Sequence, residues 1–265
     1  MCLIAFRWQP EALRPLVLAA NRDEFHRRPT RALHWWTWPQ GPLAGRDEQA
    51  GGTWLAADRR GSYAVITNFR DARETPAVRS RGELPLAWLD CRAPASRFSA
   101  DLYRRRDQYG PFNLLVGNAR ELWIVGTHAE PRAVVPGIHA LSNHLLDTPW
   151  PKSIRAVERL EQWVDAHEHG VYRDIDGLLD LLEDRRPAPA HELPDTGIEP
   201  EFERLLSAPF VVSPEYGTRS SSALIVERRI VMAERSFDRD GRMNGERMFS
   251  FDIDRPVTAD SQAAQ

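Results

Sequence analysis

The sequence predicts an α+β protein in which two stacked antiparallel sheets are covered by helices, an α/β/β/α layering. Short apolar runs separated by turn residues occupy both ends of the chain, and such runs are typical of antiparallel strands. Helical spacing of apolar residues is concentrated between them, in residues 82–109, 148–164 and 174–183. A chain of 265 residues with 42% apolar residues can bury one core. We therefore expect a single domain over residues 1–254 and a polar tail at 255–265.

Two hairpins are predicted near the N-terminus. Residues 3–8 and 15–20 are apolar runs around a Pro-containing turn, so the first hairpin begins at the second residue. Residues 53–57 and 62–69 form a similar pair, preceded by two glycines that indicate a turn or a close backbone approach. Later apolar runs predict strands at 112–117, 121–126, 132–135, 137–142, 210–212, 218–227, 230–237 and 248–253, with a turn at 238–241.

The helices are predicted from amphipathic spacing. Residues 82–109 indicate one or two helices, and the clearest helix begins at the TPWP run of residues 148–151. Residues 174–183 predict another helix, whereas residues 185–200, rich in proline and charge, predict an exposed loop that acts as a mobile flap. The apolar face expected for the clearest helix consists of Ile154, Val157, Leu160 and Val164.

Composition and motif content argue against several classes of protein. A net charge of −3 and a pI near 6.3 give no clustered positive charge for nucleic acid. The chain has no apolar run long enough to span a membrane and no signal peptide, so we expect it in the cytoplasm. Two cysteines cannot form a disulfide framework, and no histidine has HExxH spacing, so no metal is expected. Nucleotide-binding glycine motifs are absent, and no cofactor is predicted to be required.

Cys2 is the main candidate for a reactive group. A small side chain after Met1 normally permits removal of the initiator methionine, which would leave a thiol and a free α-amine on one residue. An α-amine with an ordinary pKa of about 7.7 to 8.0 can accept the thiol proton near neutral pH. The sequence thus predicts a nucleophile activated by its own amine. The alternative is that Cys2 is a small apolar residue at the start of a buried strand.

Polar side chains at predicted strand ends supply further candidates. In the NRDE run that follows the second strand, Arg22 would lower the thiol pKa and a carboxylate would hold the amine. The alternative is a charged turn with local ion pairs. Asn68 and Asn143 each close a strand and can donate to an oxyanion or form an Asx-turn. Arg219 enters a strand beside three serines, where it can bind a substrate anion or cap an edge.

Several short motifs together resemble a known family. They are MCL at residues 1–3, NRDEF at 21–25, RPT at 28–30, AGRD at 44–47, AGGTW at 50–54, TNFR at 67–70 and YGTR at 216–219. As a set extending to about residue 254, they resemble the NRDE family, also called the transport and Golgi organisation protein 2 family. That family is similar to the cysteine N-terminal-nucleophile hydrolases, the group of penicillin V acylase, bile salt hydrolase and acid ceramidase.

The resemblance implies an αββα sandwich of the N-terminal-nucleophile hydrolase type and a set of site residues. Asn143, in LSN before DTPW, is similar to the second asparagine of those hydrolases. The hydrolases separate their arginine and aspartate by two residues, whereas Arg22 and Asp23 adjoin, so Asp23 and Glu24 are alternative partners of the thiol. The catalytic residues implied are Cys2, Arg22, Asp23, Asn68, Asn143 and Arg219, and the substrate-binding residues are Asn21, Glu24, Arg46 and Trp54.

Two functions follow from these residues and the resemblance. The first is a hydrolase or acyl-transfer enzyme in which Cys2 attacks an amide or thioester, such as an acyl-CoA or a lipid amide. The second is a non-catalytic carrier, since the family has been linked to haem trafficking and lipid handling, with haem or a lipid thioester as bound cargo. Both imply a small-molecule ligand, and a third interpretation is a domain without such a site. No nucleic-acid partner or transmembrane segment is expected in any of them.

Overall fold

The computed structural model describes residues 2–37, 41–70, 77–167 and 174–254. Within them, thirteen strands form two antiparallel sheets. The first sheet has the order β10-β1-β2-β11-β12-β13, with β1 (Cys2–Trp8), β2 (Leu16–Phe25), β10 (Gly137–Leu141), β11 (Tyr216–Val226), β12 (Arg229–Phe237) and β13 (Met243–Asp252). The second runs from β3 to β9 in chain order, with β3 (Thr30–Trp35), β4 (Leu43–Asp47), β5 (Leu55–Ala57), β6 (Tyr63–Asn68), β7 (Phe112–Gly117), β8 (Leu122–Gly126) and β9 (Arg132–Ala133).

Helices cover the outer faces of both sheets. The five helices of the described residues are α1 (Leu84–Asp90), α2 (Ala95–Tyr103), α3 (Pro151–His167), α4 (Ile175–Asp180) and α5 (Pro200–Leu205). Helices α1 and α2 pack on the second sheet, and α3 and α4 pack on the first. Strand β1 shows how alternation builds the layers, because Ile4 and Phe6 enter the core between the sheets while Leu3 and Ala5 face the helices. The predicted α+β sandwich of two helix-covered sheets is confirmed.

The N-terminal hairpin is confirmed, but its second strand is longer than predicted. Strand β2 continues through the NRDE run to Phe25, because β11 pairs with it as far as Tyr216 opposite Phe25. The polar side chains at this end, Asn21 to Asp23, are therefore part of a central strand and are buried. The strand was predicted to end before the NRDE run because that run is charged. The strand β11 that pairs with the run lies about 200 residues later in the sequence, so a local pattern does not reveal the pairing.

Other strand predictions are partly wrong. Strands β3 and β4 were not predicted, and residues 210–212 form only a bridge from Val212 to Gly217. Strand β10 does not join β7, β8 and β9 in the second sheet. It crosses to the first sheet, where Leu141 pairs with Ile4. Long-range pairing decides these points, and local periodicity does not report it.

The predicted glycine approach before β5 is present. Gly51 has a φ of 74°, and a Cβ on Gly52 would lie 2.4 Å from the backbone of Gly82. The amide of Thr53 donates to the carbonyl of Gly82 over 2.9 Å. The glycine pair therefore joins β5 to the segment before α1.

The long helix predicted near residue 150 is confirmed as α3, but its predicted apolar face is right only in part. Leu160 is fully buried and Val164 packs against the same cluster. Ile154, in contrast, is 46% exposed, and the small residues Ser153 and Ala156 are buried instead. Small side chains allow the helix axis to approach the strands closely. The residues buried along α3 are Lys152, Ser153, Ala156, Leu160 and Trp163.

The remaining segments lie toward the C-terminus. Residues 185–199 are irregular apart from a short 3₁₀ turn at Ala190–Glu192, and the role of the 185–200 segment as a flap stays a prediction. Helix α5, which follows, was not predicted. The tail at 255–265 lies outside the described residues. No helix in the described ranges has both the length and the apolar composition needed to cross a bilayer.

Candidate functional site

Cys2 lies at the start of β1, directly opposite Arg22 on β2. Directly opposed residues of an antiparallel pair project from the same face, so the thiol and the guanidinium belong to one surface. Cys2 is partly buried and lines a cavity of about 500 Å³ between the ends of the two sheets. The cavity is also lined by Arg22, Asp23, Glu24, Asp47, Trp54, Asn68, Arg79, Arg81 and Tyr216.

Arg22 is fixed beside the thiol by aromatic stacking. Its guanidinium lies 4.4 Å from the ring centre of Trp54 and donates to the hydroxyl of Thr30 over 3.2 Å. The Trp54 ring in turn needs a glycine at position 45, since a Cβ there would lie 2.3 Å from it. Residues of three separate motifs thus hold one buried cation next to Cys2.

A small ion-pair network forms the wall on the other side of Arg22. Arg28 Nε donates to Asp47 Oδ2 over 2.7 Å, and Arg22 lies 3.9 Å from the same oxygen. Arg22 also lies 4.0 Å from the carboxylate of Glu24. The cavity therefore offers both positive and negative groups to a ligand.

Asp23 is buried on the helix side of β2. The hydroxyl of Thr218 donates to Asp23 Oδ1 over 2.7 Å, and the phenol of Tyr216 donates to the Asp23 main-chain carbonyl over 2.9 Å. Burial raises the pKa of Asp23, and the nearby charges of Lys152 and Arg22 oppose that shift. Of the two carboxylates left open by the sequence, Asp23 acts more strongly on the Cys2 thiol than Glu24 does.

The surroundings of Cys2 favour its neutral thiol. Burial raises the pKa of Cys2, Asp23 adds to the rise, and Arg22 opposes it. The neutral thiol therefore predominates near pH 7. A proton acceptor is needed before the sulfur can attack a carbonyl.

The two predicted asparagines contact each other, but only one lines the cavity. Asn143 is fully buried, and its Nδ2 donates to Oδ1 and to the main-chain carbonyl of Asn68 over 2.9 and 3.1 Å. Neighbouring Ser142 donates through Oγ to the carbonyl of Cys2 over 3.0 Å. Asn68 is thus oriented at the cavity by Asn143, which stands behind it.

Two predicted substrate-binding residues lie outside the cavity lining. Asn21 faces the helix layer, where Nδ2 donates over 2.9 Å to each of the carbonyls of Leu182 and Pro209. Arg46 stacks on the ring of Trp36, 4.9 Å from its centre. Alternation along β2 and β4 turns these side chains away from the cavity.

Arg219 is also outside the cavity lining. Its Nη1 donates to the main-chain carbonyls of Phe25, His26 and Arg28 over 3.1 to 3.3 Å. Burial lowers its pKa. In this position the guanidinium supports the turn that follows the NRDE run.

Sequence reasoning missed a group of buried charges behind the cavity. Arg70 and Glu203 form an ion pair in which both side chains are nearly inaccessible to solvent. Lys152, at the start of α3, is 2% exposed, and burial lowers its pKa to about 8. One signal was visible in the sequence, because Lys152 is the only lysine of the chain.

The fold of this chain is shared with a solved hydrolase structure. Over 96% of this chain and 92% of the other, the structure superposes on the C2A mutant of conjugated bile acid hydrolase from Clostridium perfringens, with a TM-score of 0.50 and 7% identity. The fold is that of the N-terminal-nucleophile hydrolases.

Sequence comparison gives the family. Residues 1–239 match the family described as Transport and Golgi organisation 2, and the chain belongs to that family. The Transport and Golgi organization 2 homolog of Mus musculus is 30% identical over 91% of this chain and 95% of its own length. The Transport and Golgi organization protein 2 homolog of Bos taurus is 32% identical over 89% and 93%.

Proposed function

We propose that this protein is a cysteine hydrolase or acyl-transfer enzyme that acts on an amide or thioester, with Cys2 as the nucleophile. One observation carries the proposal: Cys2 lines a cavity together with a buried arginine, Arg22, a buried aspartate, Asp23, and Asn68. These are the groups that nucleophilic attack on a carbonyl requires, namely a nucleophile, charges that control its proton and an oxyanion donor. The N-terminal-nucleophile fold supports the same reaction class.

The proposed reaction has two stages. The Cys2 sulfur attacks the carbonyl carbon, the carbonyl π electrons move to oxygen, and the thiol proton passes to a base. The oxyanion then collapses, the bond to nitrogen or sulfur breaks, and the leaving group takes a proton. Water releases the acyl group from Cys2, or a second nucleophile accepts it. Asn68 supports the oxyanion because its Oδ1 already accepts from Asn143, which leaves its amide protons for the cavity.

The base in this proposal is the α-amine that removal of Met1 would expose on Cys2. Arg22 and Asp23 have separate tasks beside it. The guanidinium of Arg22 favours the thiolate, and the carboxylate of Asp23 orients the amine. Cys2 and Cys91 are both free thiols, in keeping with a reducing cytoplasm.

Acylation by a reactive probe tests the proposal. Wild-type protein incubated with an activated thioester or amide should gain one acyl group on Cys2, seen by intact-mass and peptide mass spectrometry. Cys2→Ala should abolish the gain, and Cys91→Ala should not change it. Intact mass of the untreated chain should show loss of the initiator methionine. Equal acylation of wild type and Cys2→Ala would contradict the proposal.

A carrier function is the second candidate, and the raised pKa of Cys2 favours it. A thiol that stays protonated is a poor nucleophile but a suitable neutral wall for a bound lipid thioester or haem. Haem titrated into the protein should then give a saturable shift of its main absorption band that Trp54→Ala weakens. Only nonspecific absorbance, with no saturation, would count against the carrier.

A further inference from the structure

Lysine is used at a single position in this chain. Lysine and arginine together number 35, and Lys152 is the only lysine among them. An arginine guanidinium keeps its proton at every accessible pH, whereas a lysine can release its proton when it is buried. Among the lysine and arginine side chains, Lys152 is therefore the one that can lose its charge, and it is 2% exposed.

The fold brings this lysine to the Cys2 end of the first sheet. Helix α3 packs on β1 and β10, and Leu141 at the end of β10 pairs with Ile4 near the start of β1. The helix begins nine residues after Ser142, and Lys152 is its second residue, on the face that is buried against the sheet. The start of α3 therefore lies next to the start of β1, where Cys2 is found.

The charges that act on Lys152 come from four different elements. Asp23 on β2, Glu203 on α5 and, once it is ionised, Cys2 on β1 favour its protonated form, and Arg70 after β6 disfavours it. Burial disfavours the charged form more than any of these, and the positive end of the α3 dipole acts in the same direction. The protonation state of Lys152 therefore depends on neighbouring groups that include the Cys2 thiol and the Asp23 carboxylate.

Lys152 forms no structural ion pair with any residue in the described ranges. Glu203, the nearest candidate for such a pair, is joined to Arg70. Among the described residues, no hydrogen bond or ion pair involves the Lys152 ammonium. A buried cation without a dedicated partner is costly, so a purely structural role would be served better by an apolar side chain.

We propose that Lys152 is a positioning residue of the Cys2 site, whose ammonium keeps Asp23 ionised and favours the thiolate, and whose deprotonation withdraws that support. The inference rests on Cys2 being the reactive group of the proposed function. It makes the reactivity of the sulfur depend on a second titrating group besides the thiol. The proton released in this second titration passes from Lys152 to solvent.

A single-residue titration tests the electrostatic part. Protein grown with lysine labelled with ¹³C at Cε gives one lysine signal, because the chain has one lysine, and its chemical shift is followed by NMR from pH 6 to 10. We expect a midpoint near 8, moved to lower pH by Glu203→Gln and to higher pH by Arg70→Met. A midpoint at the ordinary lysine value of about 10.4, unmoved by these variants, would overturn the proposal.

Alkylation of Cys2 tests the effect on the sulfur without any knowledge of the substrate. Iodoacetamide forms a carbon–sulfur bond with the thiolate and releases iodide, and its rate is measured against pH in a Cys91→Ala background. Below pH 8, wild type and Lys152→Arg should react at similar rates, and Lys152→Met about tenfold more slowly, since one charged neighbour moves a pKa by about one unit. Above pH 8, wild type should approach the Lys152→Met profile.

The outcomes separate this proposal from the proposed function. Three superposed alkylation profiles would overturn the role of Lys152 even if Cys2 is acylated by the thioester probe. Divergent profiles without any acylation would support Lys152 and contradict the hydrolase. A merely structural lysine would change the unfolding midpoint but leave the pH profile of the folded protein unmoved. If Lys152→Met fails to fold, Lys152→Arg alone decides, because it should remain faster than wild type above pH 8.

Discussion

Two cavities of similar size lie at opposite ends of β6, and they differ in where their charges are. The Cys2 cavity, of about 500 Å³, contains Asn68 from the end of the strand. The other, of about 590 Å³, is lined by the turn before the strand, including Asp58 and Arg60. In the second cavity Arg60 pairs with Asp58 over 2.6 Å while about a third of the arginine side chain faces solvent. The guanidinium of Arg60 therefore reaches water, although Asp58 itself is buried.

At the Cys2 cavity, the charges of Arg22, Asp23 and, behind them, Lys152 are withdrawn from water instead. Burial moves the pKa of Cys2, Asp23 and Lys152, each against its charged form. A buried titratable group costs stability unless the fold compensates it, so a concentration of such groups marks a site better than cavity volume does. The Cys2 cavity, although it is the smaller of the two, is therefore the candidate site.

The largest difference between the two regions should appear in stability. Arg70→Met leaves the buried carboxylate of Glu203 without its cation and should lower the free energy of unfolding by about 3 to 5 kcal/mol. Arg60→Met removes the partly exposed pair and should cost less than about 1 kcal/mol. Urea unfolding at pH 7 measures both.

A double substitution makes the test of the buried pair sharper. Replacing both Arg70 and Glu203 by methionine removes the two charges together and should recover most of the stability lost in Arg70→Met. Similar losses for the Arg70 and Arg60 variants would show that burial does not distinguish the two cavities.

Removal of the oxyanion donor should have the next largest effect. Asn68→Ala should slow acylation of Cys2 by roughly 10² to 10³-fold, corresponding to about 2.7 to 4 kcal/mol of barrier. Because Asn143 acts through Asn68, Asn143→Ala should add little in the Asn68→Ala background. Acylation rates of the folded protein measure this cycle, and fully additive effects would assign Asn143 an independent role.

A buried carboxyl between the sheets should make stability depend on pH. Glu234 accepts from the amide of Leu33 over 2.8 Å, and burial raises its pKa from 4.5 to about 7. Between these values the folded state holds a proton that the unfolded state has released, so the contribution of Glu234 to stability falls as pH rises from about 4.5 to about 7.

Glu234→Gln removes this contribution and provides the measurement. Unfolding free energies at pH 5 and pH 8 should show that wild type loses up to about 3 kcal/mol more than the variant over this interval. Identical pH dependence of the two proteins would mean that the carboxyl ionises normally in the fold.

The smallest effect is expected at a motif residue that the fold turns away from the cavity. Arg46→Met removes a cation stacked on Trp36 and should change the acylation rate by no more than about twofold. A loss as large as that of Asn68→Ala would show that Arg46 reaches the substrate. The same assay therefore separates cavity residues from supporting ones within one set of motifs.

Much of the fold could be predicted from local pattern. Apolar alternation predicted the hairpin that starts at Cys2, and helical spacing predicted α3 and a helix at 174–183 that contains α4. The missed strands β3 and β4 carry mixed aromatic, polar and glycine residues without clean alternation. Their strand state depends on pairing with each other and with β5, which a local window does not contain.

The candidate site was only partly predictable for a similar reason. Cys2, Arg22, Asp23 and Asn68 were predicted and do line one cavity, because each lies at a strand end that meets the others. The buried face of α3 was predicted only in part: Leu160 is buried as expected, but Ile154 fitted an apolar stripe better than Lys152 did and is exposed. Because of that error, the buried charges of Arg70, Glu203 and Lys152 behind the cavity were not predicted.

The amino-acid sequence alone determined which chemical groups this protein has available: a cysteine in second position, an NRDE run, two asparagines at strand ends and a solitary lysine. The tertiary structure decided which of them face each other. Strand register sets the side of the sheet from which a side chain projects, and helix packing sets which residues lose their water. Both are fixed by contacts between residues far apart in the chain, such as Asp23 with Thr218.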